Sequence, residues 1–447
     1  MISTHSWAIP NNKVILSHYG LMKYTYRSRV ASVFLFIVFA IGMTNAVWGQ
    51  GFRNPPSSPS SVGRVGGNIA QIDDVSAVDL NPANLVDLQN SSFMAAITLL
   101  YADVTFHSAN GETLMSRRPL KALPDFFAAM PLADGKYTVG LGVTTPFGTS
   151  SAWGENSIFR YTMPWYSELD VVNINPTFAT KLTENLSIGV GVDVFLSQLD
   201  QRQFYPWSSL TGNPTSSDGD ARFIAQGTGI GENIALTWKV AEHQRLAVTY
   251  RTPVDVEYSG NLHLTNVPSP SSMPAAFSGV TSATPYYTGI EFPAELTLGY
   301  GVELTDKVRL ETDVKWIEFS TLRNIRTEIN NDDVLLASTS TRYAWKDIWT
   351  FGLGGDWKFA KDWILRSGYQ YLPSPISDQT YTPLVPDADR HMFSIGLGHT
   401  CKHHSFELAY ADNIYANRTI NNDQNAAYNG TWKMSVHLLS LSYKYSF

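Results

Sequence analysis

Cysteine is almost missing from this 447-residue chain: Cys401 stands alone, so no internal disulfide can brace the fold. Charge is sparse, at 16% of residues, and what there is sums to -7. That balance argues against a nucleic-acid partner. Long apolar runs are missing beyond the first fifty residues, so nothing later in the chain reads as a membrane-spanning helix. Catalytic signatures are missing too: there is no P-loop, no GxSxG elbow and no HExxH. CKHH at 401–404 falls in an expected tight turn and lacks a second ligand set. The sequence therefore gives no reason to expect an enzyme, a metal or a cofactor.

The N-terminus does carry an apolar stretch. Lys23, Arg27 and Arg29 precede VASVFLFIVFAIGM, and small-residue cleavage options follow near Ala46 or Gly49. This is the pattern of a secretory signal over residues 1–49, with Met22 as a plausible true start. Those residues hold four Lys/Arg and no Asp/Glu, so without them the net charge moves from -7 to -11. An exported chain with no later helical span is either soluble or a β-barrel.

What fills the rest is period-two alternation. In VRLETDVKWIEF, Val308, Leu310, Val314 and Trp316 share a face while Arg309, Glu311, Asp313 and Lys315 share the other. LSIGVGVDVFLS and WTFGLGGDWKF split the same way. Fourteen strand-length segments are expected, near 93–107, 125–133, 136–146, 168–182, 186–203, 226–240, 244–263, 291–305, 308–326, 345–359, 363–372, 390–401, 404–415 and 432–447. The connections alternate between short turns (ADGK, TEN, AEH, TDK, AKD, KHH) and long loops. That rhythm predicts an all-β fold, an up-and-down antiparallel transmembrane barrel over residues 92–447 with its long loops outside the cell. Trp349, Trp357, Trp363, Tyr369 and Tyr371 fall on the expected lipid face as interface aromatics. Arg251, Asp255 and Glu257, with the charged face of 308–316, are expected to line the lumen. The apolar phase of the last strand fails at Met434 and Val436, which a bulge near Leu438 or a strand end above the membrane would explain.

Residues 50–91 are different: rich in Gly, Pro, Ser and Asn, with no sustained period. A barrel of fourteen strands has a lumen wider than its side chains fill. This compact segment is suited to plug it as a hatch; an ordinary periplasmic linker is the alternative. Within it, Pro82 biases Asn81 away from helix and the Asn81 amide can cap its own turn.

These residues carry a family resemblance. GRVGGNIAQIDDVSAVDLNPANLVDL resembles the N-terminal hatch of the FadL-type transporters of long-chain fatty acids and hydrocarbons in Gram-negative outer membranes. TTPFGTSSAW, HQRLAVTYRTPVDVEYSGNL, FPAELTLGYGVELTDKVRLETDVKWIEFS and the stretch ending PDADRHMFSIGLG are similar to later blocks of the family. The resemblance implies a hatch motif at Asn81, Pro82 and Ala83, and a lateral gate at a kinked third strand, here Pro146, Phe147 and Gly148. A proline that merely ends the strand is the alternative reading of Pro146. It also implies a ligand groove in the outer loops, where Phe204, Tyr205, Trp207, Leu210, Phe277, Tyr286 and Tyr287 supply apolar surface, with Trp153, Phe159, Trp165, Tyr166 and Met273 beside them. The expected partners are a hydrophobic small molecule and the lipid and lipopolysaccharide of the outer membrane, around a monomer. Passive uptake of long-chain fatty acids is the expected function; a channel for aromatic hydrocarbons and an adhesin or structural barrel are the alternatives.

Overall fold

The computed structural model describes residues 51–117, 120–273, 280–329, 339–421 and 425–447. The signal region and Phe277 lie outside the described residues. Fourteen antiparallel strands close into a barrel. They are β1 Ser92–Ser108, β2 Leu120–Leu132, β3 Tyr137–Ala152, β4 Tyr166–Lys181, β5 Leu186–Tyr205 and β6 Gly219–Ala241. Then come β7 in two pieces, Gln244–Arg251 and Val254–Leu264, and β8 in two pieces, Ala283–Phe292 and Glu295–Thr305. The circuit finishes with β9 Val308–Ile317, β10 Ile348–Ala360, β11 Trp363–Leu372, β12 Arg390–Cys401, β13 His404–Tyr415 and β14 Gly430–Ser446. Closure is by β1 against β14, in unbroken register from Ser92↔Ser446 to Ser108↔Gly430.

The alternation read from the sequence sorts lipid from lumen. Val190, Val192 and Leu196 of β5 face out while Asp193 is fully buried within. On β10 Trp349, Phe351, Leu353, Trp357 and Phe359 are all exposed, on a surface that only hydrocarbon can cover without cost.

Two prolines invert this arrangement higher up. Pro253 and Pro293 lack the N–H that a ladder needs, and each splits its strand by two residues. Below the split Arg251 and Glu295 face inward; above it Val254, Val256, Tyr258, Tyr286, Ile290 and Phe292 are buried. Asp255, Glu257 and Glu291 are therefore turned outward. Asp255 and Glu257 thus do not line the lumen as the alternation suggested, because a change of parity moves every following side chain to the other face. The upper part of the wall is polar outside and apolar inside, as a soluble sheet would be. The same logic corrects the last strand: β14 carries no bulge, and Val436 and Leu438 are simply inward-facing and buried.

Replacing Leu353 with Arg should destabilise the folded barrel by about 2–4 kcal/mol, whereas Glu257→Arg, above the inversion, should cost well under about 1 kcal/mol. Urea unfolding of both variants in lipid vesicles measures the contrast.

Candidate functional site

The N-terminal segment, residues 51–91, is buried along most of its length and meets the inward face of the wall. Its attachment begins with backbone. Gly66 has φ +83, and a Cβ there would lie 2.5 Å from the Gly352 Cα and 2.4 Å from the Tyr369 carbonyl. Gly63 likewise faces Gly396, and Gly67 faces Gly354. Only glycine allows two chains to approach this closely. Four successive amides then point at two wall carboxylates. Asn68 N–H donates to Asp313 (2.6 Å), Ile69 N–H (2.6 Å) and Ala70 N–H to one oxygen of Glu311, and Gln71 N–H to the other (2.8 Å).

Opposite charges complete the seating. Arg64 pairs with Asp356, Asp73 with Arg309, Asp79 with Arg251, and Asp87 with Lys239 and Arg245. The sequence motif at 81–83 sits among these contacts. Asn81 is fully buried; its Oδ1 accepts from Ala83 N–H (3.0 Å), and its Nδ2 donates to the Ile69 carbonyl (2.7 Å) and to Thr237 Oγ1 of β6 (2.8 Å). Pro82 and Ala83 press their backbone onto Gly189 of β5.

The first residues of the segment meet the third strand. β3 does not end at Pro146 but runs to Ala152, with a register shift against β4 between Thr144 and Phe147. Its ladder with β2, by contrast, stops at Phe126↔Val143. Above that level Leu120–Asp125 of β2 pair with β1, while Phe147–Ala152 of β3 pair with β4. The freed edge of β3 is taken up by the N-terminal segment: Asn54 N–H donates to the Pro146 carbonyl (2.9 Å) and Gly148 N–H to the Phe52 carbonyl (2.8 Å). Pro146, Phe147 and Gly148 thus lie where two wall strands part.

Phe52 was not singled out by the sequence, since one aromatic in a Gly/Pro-rich stretch carries no periodic signal. Its ring lies 5.4–6.0 Å, centroid to centroid, from Phe147, Phe292, Phe319 and Trp345. Phe195 joins this cluster through Phe147 and Phe292. Two cavities lie beside it, Phe52 lining one and its neighbour Arg53 the other. The upper holds about 1830 Å³ of empty space, its mouth included, and is lined by Phe52, Phe223, Tyr286, Ile290 and Trp345 among others. The lower holds about 1300 Å³, open solvent included, and is bordered by Arg53, Thr144, Pro146, Glu295 and Lys315, so it carries more charge than the upper and touches β3 at the parting. Arg53 chelates both carboxylate oxygens of Glu295, which Lys315 also meets at 3.0 Å.

Of the predicted loop aromatics, Tyr286 lines the upper cavity. Trp207 is fully buried and Tyr205 nearly so, packed against each other at 4.8 Å. Trp153 and Phe159 are core residues packed on Trp432, the first edge-on and the second stacked. Tyr166 is buried as well, and Leu210 and Met273 pack against the core. Phe204 stacks on Trp165 and carries the Arg160 guanidinium 3.7 Å above its ring. Arg160 also binds Asp218, stitching two outer loops together (2.7 Å). Burial alone would raise the Asp218 carboxyl, but the Tyr161 hydroxyl and Arg160 hold it below its ordinary value. Tyr287 takes the outward register and is exposed.

The upper cavity is not wholly apolar. Arg342 is the one charged side chain among its described lining residues. Two buried donors in that lining, Trp345 Nε1 and the Tyr381 hydroxyl, have no hydrogen-bond partner among the described residues. Burial pushes the Tyr381 phenol well above its usual range, so it is present as a neutral donor.

Removing the clamp by Glu311→Ala would leave three buried amides unsatisfied at about 1–3 kcal/mol each. The variant should lower the thermal unfolding midpoint and admit a large antibiotic such as vancomycin, read as a fall in its inhibitory concentration.

Residues 40–447 match the family model described as outer membrane protein transport protein (OMPP1/FadL/TodX). The long-chain fatty acid transport protein of Salmonella typhi is 23% identical, with 81% of this chain and 86% of that protein covered. Outer membrane protein P1 of Haemophilus influenzae strain Rd is 23% identical over 84% of this chain and 87% of its own length. Among solved structures, a Pseudomonas aeruginosa FadL homologue superposes with TM-score 0.77 at 19% identity, covering 89% of this chain and all of that one. The toluene transporter TbuX of Ralstonia pickettii gives 0.67 at 17% identity, covering 88% and 99%. The family consists of transport proteins and not enzymes, and this chain, a barrel of the bacterial outer membrane, belongs to the OmpP1/FadL/TodX family.

Proposed function

We propose that this protein takes up long-chain fatty acids by passive diffusion, delivering them sideways into the outer membrane. The observation that carries this reading is the pair of cavities that Phe52 and Arg53 line in turn, beside the point where β2 and β3 part. Relatives named as fatty acid transporters support the ligand class, and toluene transporters of the same fold make aromatic hydrocarbons the second reading. Arg342 and the unpaired donors of Trp345 and Tyr381 favour the acid: an alkylbenzene would leave all three unused, while a carboxylate accepts from each.

An acyl chain enters the upper cavity because burial contributes roughly 0.8 kcal/mol per CH₂. Its carboxylate stays near Arg342. To proceed, the chain displaces Phe52 and the short stretch of backbone that pairs with β3. The remainder of the hatch, with Asn81, Pro82 and Ala83 packed on the wall, holds its place and so keeps the lumen closed to water. The outer-loop surface around Phe204 and Leu210 collects ligand from lipopolysaccharide, Tyr287 standing on its outer rim, and Tyr286 lines the cavity beneath. An adhesin would make no use of a divided interior.

Cells lacking their own transporter and expressing this chain should accumulate labelled oleate well above empty-vector controls, and labelled toluene poorly. Toluene entry alone would move the assignment to hydrocarbons; entry of neither, with folded barrel in the membrane, would end it. In the same assay Arg342→Gln should raise the half-saturating oleate concentration by about tenfold, the worth of one charge-assisted hydrogen bond at its lower end.

A further inference from the structure

The outward face of the closing seam carries side chains that the transport route leaves unused. Ile97 of β1, Leu408 of β13 and Leu439 and Leu441 of β14 form an exposed apolar band there. Tyr101 and Tyr410 end the band, and the next outward positions along the strands are Asp103, Asp412, Ser435 and Lys433. This is the pattern of a boundary between hydrocarbon and headgroups. At that level His437 meets two partners. Its Nε2 lies 3.0 Å from Ser435 Oγ, two residues along the same strand and on the same face. Its Nδ1 lies 3.0 Å from Asp412 Oδ1, directly across the ladder on β13. The Tyr410 ring stacks beside the imidazole at 6.2 Å, with its hydroxyl 2.9 Å from Nδ1. Asp412 sets the tautomer: Nδ1–H donates to the carboxylate, which leaves Nε2 to accept from the Ser435 hydroxyl. No local sequence motif announces this group, because two strands supply it.

We propose that Ser435, His437 and Asp412 form a hydrolytic triad that cleaves acyl esters of outer-leaflet lipids. This activity is additional to the transport for which the family is named, and it uses the outside of the wall where transport uses the inside. The order of contacts, hydroxyl to Nε2 and Nδ1 to carboxylate, is that of a serine nucleophile, its base and the group that orients the base. The height of the group selects the substrate, since the ester bonds of a membrane lipid lie between acyl chains and headgroup. Ser435 Oγ adds to the ester carbonyl carbon while His437 Nε2 takes the hydroxyl proton. The intermediate then collapses: the bond to the lipid alkoxy oxygen breaks, and His437 returns the proton to that oxygen. Water attacks the acyl-serine by the same exchange, so ester and water become acid and alcohol with no change of oxidation state. Lys433 stands two residues above Ser435 on the same face, and its flexible ammonium is the cation placed to meet the oxyanion. Asp103, opposite Ser435 on β1, and Tyr101, opposite His437, complete the surroundings. The acid is released at the membrane surface beside the protein's own outer loops.

The test uses the purified, folded barrel in vesicles of phosphatidylethanolamine, with and without lipopolysaccharide, and measures fatty acid released. The natural protein should release acid well above a Ser435→Ala protein prepared in parallel. Release without lipopolysaccharide names phospholipid as the source, and release only with it names lipopolysaccharide. His437→Gln should lower kcat at least about a hundredfold, the smaller end of what a positioned base contributes. Asp412→Asn should lower kcat with KM unchanged and the unfolding midpoint kept, whereas a merely structural role would move the midpoint. A fluorophosphonate probe, which reacts with activated serines, should attach at Ser435 and be located there by peptide mass spectrometry. The substituted side chains all face outward, so each variant keeps the closed barrel, checked by its heat-dependent gel mobility. No release above the Ser435→Ala level from either vesicle overturns the proposal, whatever the probe does. Release that survives His437→Gln overturns it as well. Oleate uptake plays no part in this readout, so the triad stands or falls separately from the transport reading.

Discussion

One carboxylate governs how the interior is arranged. Glu311 stands in the middle of β9, where an unpaired charge could not be tolerated, and three consecutive amides of the N-terminal segment satisfy it. The dependence runs both ways. The segment has little regular structure of its own, so its backbone donors need acceptors, and the wall supplies them at Glu311 and Asp313. Glycines on both sides then let the two backbones meet without side chains between them. The ion pairs at Asp356, Arg309, Arg251 and Arg245 act around this fixed point.

Such an attachment is uneven along the segment. Residues 63–71 are held by close backbone packing and by carboxylates, while residues 52–54 are held by an aromatic cluster, a short strand pairing and the Arg53–Glu295 pair. Aromatic contacts can be exchanged for an acyl chain at little net change in burial. Amide-to-carboxylate bonds inside the wall have no such substitute. In the proposed uptake, the part around Phe52 would yield while residues 63–71 stay in place, so that an apolar molecule could pass without opening a water path.

Much of the architecture was legible from period-two alternation and the rhythm of connections, because a membrane wall must repeat one pattern on every strand. Its failures have physical causes. Asp255 and Glu257 were assigned to the lumen because the alternation was carried through Thr252-Pro253, where the strand breaks and parity changes. Met434 and Val436 looked out of phase because an apolar interior was not anticipated above the polar one. At the site, Asn81-Pro82-Ala83 and the kink near Pro146 could be found because proline and asparagine have strong local meanings. Phe52 and Arg342 could not, since their surroundings come from which distant strands face them.

The close packing of Gly66 and Gly67 on β10 has a consequence for biogenesis. Two backbones in van der Waals contact leave no clearance for threading, so a finished cylinder could not admit the N-terminal segment afterwards. The segment has to lie against β9 to β12 while the sheet is still an open, curling ribbon, and zipping of the first strand to the last then encloses it. The chain order suits this: the segment directly precedes β1, one of the two strands whose meeting seals the seam. An assembly machine acting on this protein handles a sheet that already carries its own contents.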